Sequence, residues 1–212
     1  MYTLYYSPGT ASFAVHWMLI ELGVPFELKL VDFAKDEQRS PEYLKLNPNG
    51  KVPTMIVDGQ PFGECTALLM LLAERHPEAG LGPLPGTAHR AKYLELMVYL
   101  ANSLLPAFRA WFYPPDFGGP NRTEEIKENA RERIETAFDR LDSRLSDGRQ
   151  YLLGDQFSAA DMLATMLARW SRNMPKPAQA WPNLKPYLAR MKQRDSLREV
   201  HKREGLTDWI DA

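Results

Sequence analysis

The residues best suited to chemistry stand near the N-terminus, in Tyr5-Tyr6-Ser7-Pro8-Gly9-Thr10-Ala11-Ser12. Leu4 to Tyr6 reads as a short strand and Ser7-Pro8-Gly9 as a turn. A helix begins at Phe13, with Ala14, Val15, Met18, Leu19 and Leu22 on one face and a stop at Gly23. A strand that turns directly into a helix aims backbone N–H groups and the positive end of the helix dipole at whatever lies before the turn. The hydroxyls of Thr10 and Ser12 can donate hydrogen bonds to an anion there. If that anion is a sulfur, the corner stabilises a thiolate. Serine and threonine are also preferred helix caps, so the stretch alone leaves capping and chemistry both open.

The elements around this corner mix strands and helices as far as residue 76. Phe26, Leu28 and Leu30 alternate with Glu27 and Lys29, a half-buried strand, so the first strand, helix and second strand form a βαβ unit with parallel strands. A short helix is expected over Pro41 to Leu46, followed by the turn formers Asn47-Pro48-Asn49-Gly50-Lys51-Val52-Pro53. Thr54 to Val57 and Gln60 to Phe62 flank Asp58-Gly59, a hairpin signal. Glu64-Cys65-Thr66 then opens a helix whose apolar residues run from Ala67 to Ala73. The fold class is therefore an α/β N-terminal part (βαβ-ββα) followed by an all-α part.

A Pro/Gly-rich stretch near Pro77 to Gly86 separates the two, giving domains at 1–77 and 87–212 with a linker at 78–86. Helices are expected at Thr87 to Tyr113, kinked or split by Pro106, then at Arg122 to Ser146, Ser158 to Asn173, Asn183 to Gln193 and Ser196 to Glu204. Phe108, Trp111, Phe112 and Tyr113 crowd the end of the first, more aromatics than one helix face can bury, and Trp170 ends the third. The polar segment Pro114 to Asn121 reads as a cover over that cluster. Ser158 and Asp161 have capping-box spacing, with Phe157 and Met162 at the staple positions, and no histidine stands by to make them a catalytic pair.

Composition narrows the classes of function. At 212 residues and 44% hydrophobic content, the chain can build proper cores. A net charge of -1 and the lack of a basic block argue against nucleic acid, and no apolar run is long enough for a membrane span or a secretory signal. One cysteine excludes an internal disulfide, and no His/Cys/Asp spacing suggests a metal. A cytoplasmic protein is the natural expectation.

Taken in order, Tyr-Tyr-Ser-Pro-Gly-Thr, Asn-Pro-Asn-Gly-Lys-Val-Pro, Glu-Cys-Thr, the Pro/Gly linker and Tyr151-Leu-Leu-Gly-Asp-Gln-Phe-Ser-Ala-Ala-Asp161 resemble the soluble glutathione S-transferases, most of all the bacterial members. The resemblance covers essentially the whole chain. It implies a thioredoxin-like first domain, a helical second domain with a hydrophobic pocket, usually a homodimer, and glutathione as co-substrate without a metal. It also implies a cis peptide bond at Val52-Pro53, with the Val52 backbone pairing the cysteinyl unit of glutathione. Glu64 and Cys65 stand at the positions that hold the γ-glutamyl end, with Cys65 replacing the usual serine, and Lys51 is placed for the glycyl carboxylate. For the thiol activator the implied order is Thr10, then Ser12, then Tyr6. Phe108, Trp111, Phe112 and Trp170 are the residues for the electrophile pocket. Bacterial members often carry a cysteine at the position of Ala11, and its absence argues against disulfide exchange. The expected activity is detoxifying conjugation of glutathione to hydrophobic electrophiles. A binding or regulatory module with little catalysis, and a glutathione-dependent isomerase or dehalogenase, stand as alternatives.

Overall fold

The structure, a computed structural model, describes residues Met1–Asp211 and divides into two compact units. The first comprises Met1–Gly82 together with the chain from Lys192 onward, and the second is Pro83–Met191. In the first unit, β1 (Tyr2–Tyr6), α1 (Ser12–Leu22) and β2 (Phe26–Leu30) form the expected βαβ unit, and β1 and β2 are parallel. Then follow α2 (Pro41–Leu46), β3 (Thr54–Val57), β4 (Gln60–Phe62) and α3 (Cys65–Arg75). The sheet order is β2-β1-β3-β4, with β3 antiparallel to both its neighbours. Asp58 and Gly59 both take positive φ, 51° and 79°, the turn geometry that suits the twist of a two-residue hairpin.

Two details depart from the one-face patterns. Every residue of α1 from Ser12 to Leu19 is buried, including His16 and Trp17. This helix packs against β1, α3 and a helix from the far end of the chain, so it has no solvent side along that length. Leu30, expected on the buried face of its strand, is 55% exposed because it ends the edge strand β2.

The second unit holds α4 (Arg90–Tyr99), α5 (Leu105–Phe112), α6 (Pro115–Gly118), α7 (Thr123–Arg144), α8 (Ala159–Trp170) and most of α9 (Leu184–Lys192). The long helix expected over Thr87 to Tyr113 is split by a π-helical turn at Leu100–Leu104. Pro106 has no N–H to give back and its ring crowds the carbonyl of Asn102, so the backbone widens there. The apolar stripe of α7, from Ile126 through Leu141, is buried as its spacing requires. The segment Pro114 to Asn121, read as a cover, is wound into α6 and the start of a short turn at Pro120–Arg122.

The last helix, α10 (Asp195–Arg203), belongs to the first unit, where it packs along α1. The linear division at residues 78–86 is therefore crossed once, by the chain's return. Ala212, the end of the expected helical part, lies outside the described residues. Among the described residues no helix is long and apolar enough to cross a membrane.

Candidate functional site

Strand pairing gathers three loops at one end of the sheet. Tyr5 of β1 faces Thr54 of β3, and Met55 of β3 faces Phe62 of β4. The turn that leaves β1 (Ser7 to Ala11), the loop that enters β3 (Lys51 to Pro53) and the residues that leave β4 (Gly63 to Cys65) therefore lie in a row. Thr10, Val52, Pro53, Glu64 and Cys65, far apart in sequence, share that edge.

The first loop is a small polar knot. Gly9 takes φ 68°, a left-handed conformation that glycine reaches at no steric cost. The hydroxyl of Thr10 donates to the carbonyl of Ser7 at 2.7 Å and lies 2.9 Å from Ser12 Oγ. Ser12 Oγ donates to the same carbonyl at 3.1 Å and accepts the Ser7 N–H at 3.2 Å. Thr10 is half-buried, whereas Ser12 is 0% exposed and has no surface to offer a ligand. The N–H of Ala11 has no hydrogen-bond partner among the described residues, because α1 begins one residue later. Tyr6 packs edge-on against His16, with ring centroids 5.7 Å apart. Burial, and then the Glu204 carboxylate, raise its phenol above the usual range and keep it protonated.

The second loop is held from behind. Tyr43 donates its hydroxyl to the Lys51 carbonyl at 2.7 Å, and Asn47 Nδ2 donates to the same oxygen at 2.8 Å. Both also reach Thr54 Oγ1, at 2.8 and 3.0 Å. The Val52–Pro53 bond is cis, as the sequence resemblance implied. The Lys51 side chain is exposed and makes no ion pair among the described residues.

The third loop carries backbone strain. Glu64 caps α3 with φ 63° and ψ 100°, outside the ordinary regions for a residue with a side chain. Such strain persists only where the surroundings enforce it, and it clusters at ligand sites. The Glu64 carboxylate is exposed and unpaired among the described residues, beside the open N–H groups of the first turn of α3. Cys65 is buried, and desolvation followed by the Glu64 charge pushes its thiol up to about 12, so it stays protonated at neutral pH.

In the second unit the expected aromatics do cluster, though not as equals. Phe108 is 0% exposed, stacked on Phe112 at 6.0 Å and edge-on to Trp170 at 5.7 Å and Phe138 at 6.2 Å. It supports this wall and has no free face of its own. Phe112, 46% exposed, and the half-buried Trp170 form its open side, and Trp111 packs against Ala110, Ile126 and Ala130. Ser158 and Asp161 form the expected capping box. Asp161 accepts the Ser158 N–H at 2.9 Å, its hydroxyl at 3.0 Å, the Leu152 N–H at 2.8 Å and the Tyr187 hydroxyl at 3.0 Å.

The free N–H at Ala11 is one of the backbone groups that a strand running into a helix is expected to offer. One contact at the corner escaped the sequence: Glu204, whose carboxylate accepts the Gly9 N–H at 2.8 Å from 195 positions away. No local pattern announces a contact of that span.

Comparison with known proteins shows the family. The family described as "Glutathione S-transferase, N-terminal domain" matches residues 10–75, and "Glutathione S-transferase, C-terminal domain" matches residues 124–190. Glutathione S-transferase GST-4.5 of Xanthomonas campestris is 32% identical over 210 residues, covering 96% of this chain and 98% of its own. Glutathione S-transferase GstA of Escherichia coli O157:H7 is 28% identical, with 96% and 98% covered. A glutathione transferase homologue from Sulfitobacter, solved with bound glutathione, superposes with a TM-score of 0.88 at 32% identity over 97% of this chain and 99% of that one. A sphingomonad glutathione S-transferase complexed with glutathione gives 0.84 at 31%, with 97% and 100% covered. This chain belongs to the glutathione S-transferase family.

Proposed function

We propose that this chain is a glutathione transferase that holds the glutathione thiol, ionised, against the Thr10 corner and directs it at a hydrophobic electrophile. The observation that carries this reading is the alignment at one sheet edge of a half-exposed threonine hydroxyl, an unpartnered N–H at Ala11, the Val52-Pro53 loop and the free carboxylate of Glu64. Relatives that share the whole fold are solved with glutathione bound.

Each group has a chemical task in this reading. Val52 offers backbone N–H and C=O to the tripeptide as an added strand would. The Glu64 carboxylate takes the ligand's ammonium, and the N–H groups that open α3 take its α-carboxylate. Lys51 lies on the same edge for the glycyl carboxylate. With Ser12 donating to the Ser7 carbonyl, the Thr10 proton is free to swing outward, so Thr10 and the Ala11 N–H both point donors at the sulfur. Ser12 acts only through Thr10 and is a positioning residue. Two such donors at a helix start lower a thiol pKa by about 2 units, or about 2.7 kcal/mol. The thiolate attacks the electrophilic carbon, a carbon–sulfur bond forms, the leaving group departs as an anion, and the thiol proton goes to water.

Conjugation fits better than disulfide exchange. Ala11 carries no thiol, and Cys65 is buried and protonated. Phe112 and Trp170 are the surface for the electrophile, with Phe108 behind them. The lone buried cysteine suits a cytoplasmic protein, and we place it there as a homodimer.

Retention on immobilised glutathione followed by turnover of a chloronitroarene tests the reading. Thr10→Ala is expected to lower kcat by about 30- to 100-fold, the loss of most of a 2-unit pKa shift, while the KM for glutathione moves by less than about threefold. Retention without turnover in the unaltered protein would support a binding module instead. Unchanged kcat in Thr10→Ala would remove Thr10 from its role.

A further inference from the structure

We propose that Glu204, at the end of the last helix, is a positioning residue for the thiol-activating turn; the proposal rests on the reading of the Thr10 corner given above. Its side chain is 0% exposed and bridges two segments that together make the corner. One oxygen accepts the Gly9 N–H at 2.8 Å, and the other pairs with His16 Nδ1 at 2.8 Å. The other ring nitrogen of His16, Nε2, is buried with no partner among the described residues.

Anchoring α10 does not require this carboxylate. Trp17 Nε1 donates to Ser196 Oγ at 2.8 Å, and Arg194 pairs with Glu21, so the start of α10 is already fastened to α1, at the opposite end of the helix from Glu204. A buried carboxylate is a costly fastener, because its desolvation is recovered only through its hydrogen bonds, and an apolar side chain would dock a helix as well. What an apolar side chain cannot do is accept the Gly9 N–H.

That N–H belongs to the residue before Thr10. The turn also holds a long backbone bond from the Thr10 N–H to the Ser7 carbonyl, 3.3 Å, and one from the Phe13 N–H to the Thr10 carbonyl, 3.0 Å, and neither fixes the peptide that precedes Gly9. Glu204 therefore sets the plane of the Pro8–Gly9 peptide, one residue ahead of Thr10, and, through His16, its distance from α1. Misplacement of a reacting group by about 1 Å can cost up to about 100-fold in rate, so a shift of this turn is felt in kcat before it is felt in binding.

The test measures kcat, KM for glutathione and thermal midpoint for Glu204→Ala, Glu204→Gln, Ser196→Ala and Thr10→Ala. Glu204→Ala is expected to lower kcat about tenfold or more with KM within about threefold. Glu204→Gln keeps an acceptor for the Gly9 N–H and should recover most of that loss. Ser196→Ala removes a fastener of the same helix without touching the turn, so it should lower the thermal midpoint and leave kcat within about twofold. If Glu204→Ala does not fold, Glu204→Asp, too short to span both partners, takes its place with an expected loss of about threefold or more. Equal kcat in Glu204→Ala and Ser196→Ala, or no recovery in Glu204→Gln, overturns the proposal. If Thr10→Ala also leaves kcat unchanged, the reading of the corner itself has failed.

Discussion

Two helix starts in this molecule carry the same kinds of side chain and serve different ends. At α1, the hydroxyls of Thr10 and Ser12 meet the carboxylate of Glu204 through the turn. At α8, the hydroxyl of Ser158 meets the carboxylate of Asp161. The second is closed: Ser158 and Asp161 are 0% exposed, and the carboxylate accepts four hydrogen bonds. The first is open on one side, with Thr10 half-buried and the Ala11 N–H unpartnered among the described residues. Residue type does not separate a closed folding device from a corner left open for the role proposed above. Unspent donors do.

The largest expected effect breaks the closed start. Asp161→Ala leaves two N–H groups and two hydroxyls of the second unit unanswered, and should cost about 3 to 5 kcal/mol in urea unfolding while the folded fraction keeps its kcat. A stability loss below about 1 kcal/mol would mean that water or local movement replaces the carboxylate at little cost.

The same carboxylate predicts a pH dependence. Burial outweighs its hydrogen bonds and raises Asp161 from 3.8 to about 6. The folded state therefore binds this proton more tightly than the unfolded one. Its contribution to stability is full below about pH 4 and is lost as pH rises through about 6. The Ser158 and Tyr187 hydroxyls can turn to accept that proton, which is why the box survives protonation. Unfolding midpoints measured from pH 4 to 7 in the unaltered protein and in Asp161→Ala should show this slope only in the former, once the other carboxylates' shared trend is subtracted.

Smaller effects sharpen the open start. Ser12→Ala removes one hydrogen bond behind Thr10 and should lower kcat about three- to tenfold, without changing glutathione retention. A loss as large as that of Thr10→Ala would give Ser12 the direct role that its burial denies it. Cys65→Ser is the mildest change. Glutathione affinity should stay equal or tighten, since a hydroxyl donates better than a thiol, with stability within about 1 kcal/mol; clear weakening would show that the thiol has a role of its own.

Much of the fold was legible because it is written locally. The edges of α2, the Asp58-Gly59 hairpin, the box at Ser158 and the break near Pro106 each follow from residues within a few positions. The return of α10 to α1 was not legible, since the pattern of Asp195–Arg203 shows a buried face without naming what covers it. For the same reason the apolar spacing of α1 shows one buried face although Ser12 to Leu19 is covered on all sides. Thr10, Glu64 and the Val52-Pro53 loop were implied by the family resemblance, and strand pairing brings those three loops to one end of the sheet. That Ser12 is sealed, that Phe108 lies behind Phe112 and Trp170, and that Glu204 reaches Gly9 are consequences of packing, which no window of sequence contains.

The central claim is that a sulfur rests ionised against the Thr10 corner. The direct measurement is the ultraviolet absorbance of the thiolate as glutathione-saturated protein is titrated with base. The account predicts a bound-thiol midpoint about 2 units below that of free glutathione in the unaltered protein, and a midpoint close to the free value in Thr10→Ala. The same midpoint in both proteins, or a bound thiol that ionises no more readily than the free one, would contradict it.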